Sequence, residues 1–252
     1  MSVHDIVVDA HSHVYQYSRE ELEQLLSSKP SFLIVGVGED FDTSKMVVEL
    51  AEKYEGRIYP CVGVHPWNID GGTGEVDDVL SLAMAEQVDC IGEVGLDKKF
   101  VIETFDKQVP VFTRFLEYAK ENNMVLNIHA AGAWREVFDL LIKHDVSRAL
   151  FHWYTGPIDL LKDIEYSGYY VSINAAIIIQ EKSKRIAEKV PLNIMLLESD
   201  GPYNYRGLRL NSRYILEAAG IIGSLRGLTQ DEVIRISNEN AMSLFNFNTV
   251  VS

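Results

Sequence analysis

Short apolar runs alternate with longer amphipathic segments along almost the entire chain. The runs are rich in Val, Ile and Leu, which favours buried strands, and the segments between them have helical spacing. The predicted strands cover residues 6–8, 31–38, 58–64, 90–94, 125–128, 148–151, 169–173 and 194–197. The predicted helices cover residues 18–28, 43–54, 76–86, 103–122, 133–144, 158–165 and 181–189, followed by 213–225 and 229–245. The pattern therefore predicts eight strands, each separated from the next by a helix.

This alternation decides the expected topology. A helix between successive strands brings them into parallel pairing through right-handed crossovers. Eight such units in 252 residues predict a closed (β/α)8 TIM barrel of the α/β class. We expect one domain over residues 1–252, with the two final helices as an extra C-terminal layer outside the barrel. A Gly-rich turn is predicted at residues 71–74.

Composition limits the expected partners and location. The chain has 23 Lys and Arg against 37 Asp and Glu, so its formal net charge is −14. Such an acidic surface disfavours strong non-specific binding to nucleic acid or membranes, although it does not exclude a local basic or metal-lined cleft. Cys61 and Cys90 lie in apolar runs without metal-like or disulfide-framework spacing, so we expect buried free thiols. With no signal-peptide pattern and no apolar run of about 18 residues, the sequence predicts a cytoplasmic protein.

Polar residues collect at the carboxyl ends of the predicted strands. His11 and His13 follow the first strand, and residues two apart on a strand point to the same side. Later strands are followed by His65, Glu93, His129, His152 and Asp200. In a barrel these ends surround one pocket, where such folds carry their active sites. His4 and His144 lie away from these ends, and we expect His4 to be exposed and His144 to be structural.

Six of these side chains form a candidate ligand set: His11, His13, Glu93, His129, His152 and Asp200. Mixed nitrogen and oxygen donors suit zinc, manganese, nickel or iron(II), and magnesium is also open. Six donors exceed what one tetrahedral ion needs, so we expect two divalent ions that share Glu93. The alternative is a hydrogen-bonded polar lining of a binding mouth. It explains the histidines less well, because neutral imidazoles that face one another need a shared cation or acid partner.

Seven motifs occur in the order DAHSH, GVHPW, GEVGLD, NIHA, HWYTG, SINAA and LLESDGPY. In this order they resemble the TatD family of metal-dependent hydrolases, within the amidohydrolase-like barrels, from about residue 8 to residue 245. The resemblance implies one metal site of His11, His13, Glu93 and Asp200 and a second of Glu93, His129 and His152. It also implies that His65 contacts the scissile group, that Asp200 orients the attacking water, and that the substrates are DNA ends.

The sequence departs from the family pattern at positions that bear on the substrate. His129 is followed by Ala130, Ala131 and Gly132, where the family has a small residue and then Arg, so a phosphate-binding cation is missing. Lys98-Lys99-Phe100 replace an aromatic pair after GLD. The tail that begins at Arg206 is one residue longer before Asn and lacks Pro. Substrate recognition is therefore expected to differ more than the metal chemistry.

The predicted function is divalent-metal-dependent hydrolysis by activated water at a two-metal site, most consistent with a TatD-type deoxyribonuclease or phosphodiesterase. Asp200, Glu93 and His65 are the predicted catalytic residues, and His65 and Arg206 are predicted to bind substrate. We expect DNA ends or a small phosphodiester or ester as substrate, without a membrane or a stable protein partner. Two alternatives are open. One is hydrolysis of a C–N or ester bond in a small molecule, and the other is a metal-binding interaction protein without turnover.

Overall fold

The computed structural model describes residues 6–69, 74–245 and 247. His4 and residues 71–73 of the predicted turn lie outside these residues. The eight predicted strands are all present, with ends that move by a few residues. They are β1 (Ile6–Ser12), β2 (Ser31–Val37), β3 (Ile58–Cys61), β4 (Cys90–Gly95), β5 (Val125–His129), β6 (Ala149–Phe151), β7 (Tyr170–Asn174) and β8 (Met195–Glu198).

The eight strands pair in parallel and in chain order. Strands β1 to β3 form one group and β4 to β8 another. The groups join on one side because the N–H of Val62 donates to the carbonyl of Cys90 at 3.1 Å and the N–H of Gly92 donates to the carbonyl of Val62 at 2.9 Å. On the other side, the N–H of Asp200 donates to the carbonyl of His11 at 2.9 Å. These two seams close the sheet, which confirms the predicted (β/α)8 barrel.

The described residues form nine α-helices, close to the predicted ranges. They are α1 (Arg19–Leu26), α2 (Phe41–Lys53), α3 (Gly74–Ala85), α4 (Phe105–Asn122), α5 (Trp134–Lys143), α6 (Leu160–Tyr166), α7 (Glu181–Lys189), α8 (Tyr214–Arg226) and α9 (Gln230–Phe245). Ser18, the first residue of the predicted helix 18–28, caps α1: its side chain accepts the N–H of Glu21 and completes a capping box with it. A short hairpin of β9 (Asn204–Tyr205) and β10 (Leu208–Arg209), which the sequence pattern did not predict, follows β8.

The last helix covers the amino ends of the strands. The side chain of Asn238 in α9 accepts the N–H of Val8 at 3.0 Å and donates to the carbonyl of Ile6 at 2.7 Å. Phe245 and Phe247 pack into the buried cluster formed by alternate strand residues such as Leu33 and Leu196. Because this end of the barrel is filled with apolar side chains, the carboxyl ends of the strands are left to form a site.

The prediction of free thiols is wrong, because Cys61 and Cys90 form a disulfide in the structure. Cys61 ends β3 and Cys90 begins β4, and the seam between these neighbouring strands brings their Cα atoms to 4.6 Å. The separation of 29 residues along the chain conceals this proximity. Free thiols therefore give no support to a cytoplasmic location, which stays a prediction. No helix among the described residues is long and apolar enough to cross a membrane.

The disulfide leads to a simple test. We expect the protein, denatured without reductant, to resist alkylation by iodoacetamide and to be lighter by two hydrogens than the reduced chain. After reduction, both cysteines should be alkylated. The measurement is intact mass with and without reductant, and a Cys61→Ser variant gives the reference mass for a chain with one thiol. Two alkylated thiols in the unreduced sample would contradict the pairing.

Candidate metal centre

All six predicted ligands and His65 lie together at the carboxyl end of the barrel, and all are buried. His11 lies in β1 and His13 directly follows it, while Glu93 lies in β4 and His129 ends β5. His152 and Asp200 come just after β6 and β8. The fold therefore brings side chains from five strands and one loop to a single point.

Glu93 occupies the centre of this cluster, and its two carboxylate oxygens face different neighbours. Its Oε1 lies 2.8 Å from His129 Nδ1, 2.9 Å from His152 Nε2 and 3.3 Å from His65 Nε2. Its Oε2 lies 3.3 Å from His11 Nε2 and 3.6 Å from His13 Nε2. One carboxylate thus separates the donors into two sets, one on each oxygen.

The first donor set consists of His11, His13, Asp200 and Glu93 Oε2. Asp200 Oδ1 lies 3.1 Å from His13 Nε2 and 3.5 Å from His11 Nε2. His11 Nε2 and Asp200 Oδ1 are buried and have no hydrogen-bond partner in the described part of the chain. Leaving such atoms unsatisfied is costly, and donors about this far apart suit one shared ion. The residues present therefore fit a divalent cation.

The second donor set consists of His129, His152 and Glu93 Oε1, with His65 beside it. His65 Nε2 lies 3.2 Å from His129 Nδ1, and His152 Nε2 lies 3.5 Å from the same atom. His65, Glu93 and His129 also satisfy the spacing of a metal-ligand group, as do His11, His13 and Glu93. A third such group, His11, His152 and Glu198, connects the two sets, so the described residues form one cluster of candidate metal ligands around Glu93.

Three further residues hold the imidazoles in a fixed orientation. Asn127 Oδ1 lies 2.8 Å from His11 Nδ1, Asp97 Oδ2 lies 3.0 Å from His129 Nε2, and Glu198 Oε1 lies 3.4 Å from His152 Nδ1. Asn127 and Asp97 each accept one ring N–H and leave the other ring nitrogen facing Glu93, whereas Glu198 lies near His152 Nδ1 without forming a hydrogen bond. These three residues were not among the predicted site residues. Their signal was present, since Asp97 lies in GEVGLD, Asn127 in NIHA and Glu198 in LLESDGPY.

Electrostatics within the cluster oppose the effect of burial. Burial raises the pKa of Glu93, but the neighbouring His65, His152 and His11 outweigh it and hold that pKa well below its usual range. Burial lowers the pKa of His13, yet the nearby carboxylates of Asp200 and Glu93 raise it to about 9. The carboxylates and the imidazoles whose pKa is raised thus stabilise each other's charged forms. Because metals bind only the deprotonated ring, an ion that enters would displace any proton on the nitrogen that binds it.

A buried network positions the seam between β1 and β8, from which His11 and Asp200 extend. Asp9 accepts the hydroxyl of Ser199 at 2.5 Å, the N–H of Ser199 at 2.8 Å and the hydroxyl of Ser212 at 2.6 Å. Burial raises the pKa of Asp9 to about 6, although these hydrogen bonds act in the opposite direction. Asp200 itself has a φ of 55°, a left-handed conformation that Asp tolerates better than most residues. The network therefore fixes the backbone that carries His11 and Asp200, two members of the first donor set.

The centre opens into a cavity of about 700 Å³ with aromatic walls. Trp67 and Phe100 stand on one wall with ring centres 5.7 Å apart. The ring centre of Trp153 lies 6.1 Å from that of Tyr203 and 5.2 Å from that of Tyr205. A mouth of this size and lining can take a small organic ligand or one end of a chain.

The basic residues that the sequence motifs singled out differ in whether they line the cavity. Lys99 lines the cavity, whereas Lys98 pairs with Glu136 and does not. Arg206, a predicted substrate-binding residue, is exposed in the hairpin turn and has its guanidinium 5.3 Å from the ring centre of Tyr205. It is not among the residues that line the described cavity. Lys182 does line it, although no motif pointed to it.

Comparison with known proteins identifies the family of this chain. The family model described as TatD related DNase matches residues 8–246. An uncharacterized metal-dependent hydrolase of Methanocaldococcus jannaschii is 28% identical over 246 residues, covering 94% of this chain and 96% of that protein. The deoxyribonuclease TATDN3 of Homo sapiens is 27% identical, covering 95% of this chain and 94% of that protein. The crystal structure of YJJV, a TatD homologue from Escherichia coli K12, superposes with a TM-score of 0.85 at 21% identity, covering 97% of this chain and 99% of that chain. The family match spans nearly the whole chain, and this protein belongs to the TatD family of metal-dependent hydrolases.

Proposed function

We propose that this protein hydrolyses phosphodiester bonds at a two-metal centre, as a deoxyribonuclease of the TatD type. The observation that carries the proposal is the division of donors between the two oxygens of Glu93. A pair of ions bridged by one carboxylate suits the displacement of an ester oxygen from phosphorus. The names of the matching family model and of the human relative TATDN3 support DNA as the substrate.

The donor sets suggest which residues hold the ions. His11, His13 and Asp200 would hold one ion, His129 and His152 the other, and Glu93 would be shared. Ions bound there lower the pKa of a water and offset the charge that develops on the phosphoryl oxygens. The acceptors Asn127, Asp97 and Glu198 keep the ligating nitrogens in place throughout the reaction.

Asp200 is proposed to take the proton of the attacking water. Its Oδ1 is buried, lies 3.1 Å from His13 Nε2 and has no hydrogen-bond partner in the described chain. Asp200 also lines the cavity, so the carboxylate can reach a nucleophile on the substrate side. A general base must be within hydrogen-bond reach of the proton that it accepts, and the position of Asp200 in the cavity lining supports this role.

His65 is proposed to hold an oxygen of the scissile group. The N–H of Trp67 donates to His65 Nδ1 at 3.1 Å, so the ring proton resides on Nε2. Burial lowers the pKa of His65, which favours the neutral ring. A neutral Nε2–H in the cavity lining is a hydrogen-bond donor without the cost of a buried charge. We keep Arg206 as a proposed contact for the outer part of a long substrate only, because it is exposed on the hairpin.

Hydrolysis of an ester or C–N bond in a small uncharged molecule is the second candidate. It is favoured by the wall beside His129, where Ala130, Ala131 and Gly132 line the cavity without a cation. The net charge of −14 also repels a long polyanion. The two candidates share the metal centre and differ only in what the mouth accepts.

A substrate panel distinguishes the candidates. We expect the protein loaded with Mn²⁺, Mg²⁺ or Zn²⁺ to hydrolyse a short single-stranded oligonucleotide and bis-p-nitrophenyl phosphate faster than p-nitrophenyl acetate or an anilide. For the oligonucleotide, kcat/KM should fall as salt rises, because phosphate contacts release counterions. Metal-stripped protein is the control. Turnover of the acetate or anilide alone would reject the phosphodiesterase proposal and favour the second candidate.

The bridging role of Glu93 is tested by Glu93→Gln. The variant keeps the size of the side chain but has one neutral acceptor oxygen, so it cannot serve two cations. We expect two ions per chain in the wild type, at most one in the variant, and a loss of at least about tenfold in activity. Elemental analysis after loading and desalting measures the ion count. The control is Glu117→Gln, an exposed carboxylate of α4 that does not line the cavity, which should retain both ions. Normal ion content and turnover in Glu93→Gln would refute the shared ligand.

Asp200→Asn separates proton transfer from folding. The amide retains an oxygen for the first donor set but cannot accept the proton of the water. We expect kcat to fall by at least about a hundredfold with little change in melting temperature, since general bases contribute about 10²–10⁴ in rate. Steady-state kinetics and thermal melts provide the two measurements. The surface variant Glu136→Gln should match the wild type in both. Full kcat in Asp200→Asn on every substrate would eliminate Asp200 as the base.

A further inference from the structure

Two lysines share the cavity above the candidate metal centre. Lys99, which follows β4, and Lys182, in the first turn of α7, both line it. Neither forms an ion pair with a carboxylate among the described residues, although Lys99 lies 4.6 Å from the ring centre of Phe100. Their neighbours in sequence differ, since Lys98 pairs with Glu136 and Lys184 with Glu181. In a chain of net charge −14, this is a local concentration of uncompensated positive charge.

The two ammonium groups are close enough to affect each other. Partial burial and then the charge of Lys99 lower the pKa of Lys182. An anion that contacts both ammonium groups removes their mutual repulsion and attracts each of them, so it is bound more strongly than an anion that contacts only one. A group with two negative charges fits this pair better than one with a single charge, because it neutralises both lysines at once.

Lys99 is linked to the metal centre through Asp97. One oxygen of Asp97 accepts the N–H groups of Lys99 and Phe100, each at 2.7 Å. The other oxygen lies 3.0 Å from His129 Nε2. Two residues of chain span at most about 7 Å, so the backbone of Lys99 is held near this ligand. An anion bound by Lys99 would therefore lie in the same cavity as the candidate metal centre.

Lys182 stands on a wall that is equally fixed. Gln180, two residues before it, accepts the indole N–H of Trp153 at 3.1 Å and donates to the hydroxyl of Tyr205 at 2.7 Å. The next residue, Ser183, donates to the same Gln180 oxygen. The start of α7 is thus tied to the aromatic side of the cavity, and Lys182 extends from a rigid support.

We propose that Lys99 and Lys182 clamp a second phosphate group of the substrate, one that is not cleaved. This inference rests on the proposed phosphodiester hydrolysis and narrows its substrates to short phosphodiesters that end in a phosphate monoester. Lysine binds phosphate as a compact point charge and tolerates varied approach directions. The clamp replaces the cation that is missing after His129, and it selects for the end of a chain because only a terminal phosphate carries two negative charges.

Matched substrates test the clamp in turnover. Dithymidine monophosphate is compared with its 5′-phosphorylated and 3′-phosphorylated forms, using metal-loaded wild type and the variant Lys99→Met/Lys182→Met. We expect the wild type to prefer one phosphorylated form by about ten- to a hundredfold in kcat/KM, and the variant to lose that preference. Hydrolysis of bis-p-nitrophenyl phosphate, which has no second phosphate, checks that the metal centre of the variant still turns over. Lys98→Met, which removes a neighbouring lysine outside the cavity, should keep the preference.

Binding without turnover makes the clamp testable even if the proposed function fails. The probes are dithymidine methylphosphonates, whose internal linkage is uncharged, with and without a terminal phosphate. Quenching of the cavity tryptophans Trp67, Trp134 and Trp153 reports binding to the metal-loaded protein. We expect the terminal phosphate to tighten binding to the wild type and to Lys98→Met by at least about tenfold, with a weaker effect at high salt, and to add little in the double variant.

The outcomes of the two experiments separate the two proposals. A terminal phosphate that has no effect on wild-type binding, or the same effect in the double variant, overturns the clamp. If no phosphodiester is hydrolysed by the wild type, the proposed function fails, while the methylphosphonate binding still decides the clamp. If bis-p-nitrophenyl phosphate is hydrolysed but terminal phosphates have no effect, the phosphodiesterase stands and the clamp is rejected.

Discussion

The carboxylate of Glu93 is the interaction on which the rest of the centre depends. It is buried among five imidazoles, with His129, His152 and His65 near one oxygen and His11 and His13 near the other. A buried charge of this kind is stable only with compensating charge close by. The neighbouring imidazoles stabilise the charged carboxylate and hold the pKa of Glu93 well below its usual range, and divalent ions bound there would have the same effect. The same constraint explains why so many titratable groups can lie together at the carboxyl end of the barrel.

The orientation of the rings depends on a second layer of acceptors. Asn127, Asp97 and Glu198 each face the ring nitrogen that points away from Glu93. Asp97 has a further effect, because its other oxygen holds the loop that carries Lys99. The geometry of the metal centre and the position of a charge in the cavity wall are therefore set by the same carboxylate. A change at Asp97 would alter ligand orientation and substrate recognition together.

The sequence predicts the barrel well because strand and helix periodicities are strong and alternate without interruption. It also predicts the ligand cluster, since the polar residues that end parallel strands must meet at one end of a closed barrel. Contacts between segments that are remote in sequence escape this reasoning. Cys61 and Cys90 appear unrelated until the seam between β3 and β4 closes, and Lys182 lies on a helix whose pattern shows only an amphipathic surface. Arg206 was predicted from a tail motif, but the sequence did not predict the hairpin that carries it. The two strands of this hairpin have only two residues each, which is too short for a periodic hydrophobic pattern, and its turn has φ values of 51° at Arg206 and 88° at Gly207.

The hydrogen bonds of Asn238 bear on how the chain folds as it is synthesised. Val8 and Ile6 at the start of β1 depend on this residue of α9, which is 230 positions beyond Val8. The seam that joins β1 to β8 is also made only when residues near 200 are available. A ribosome-bound chain therefore leaves one edge of β1 without its partners until α9 has left the exit tunnel, although β2 can pair with the other edge earlier. Such an unpaired strand edge can associate with other chains, so the nascent protein needs either rapid completion or a chaperone that covers its first strand.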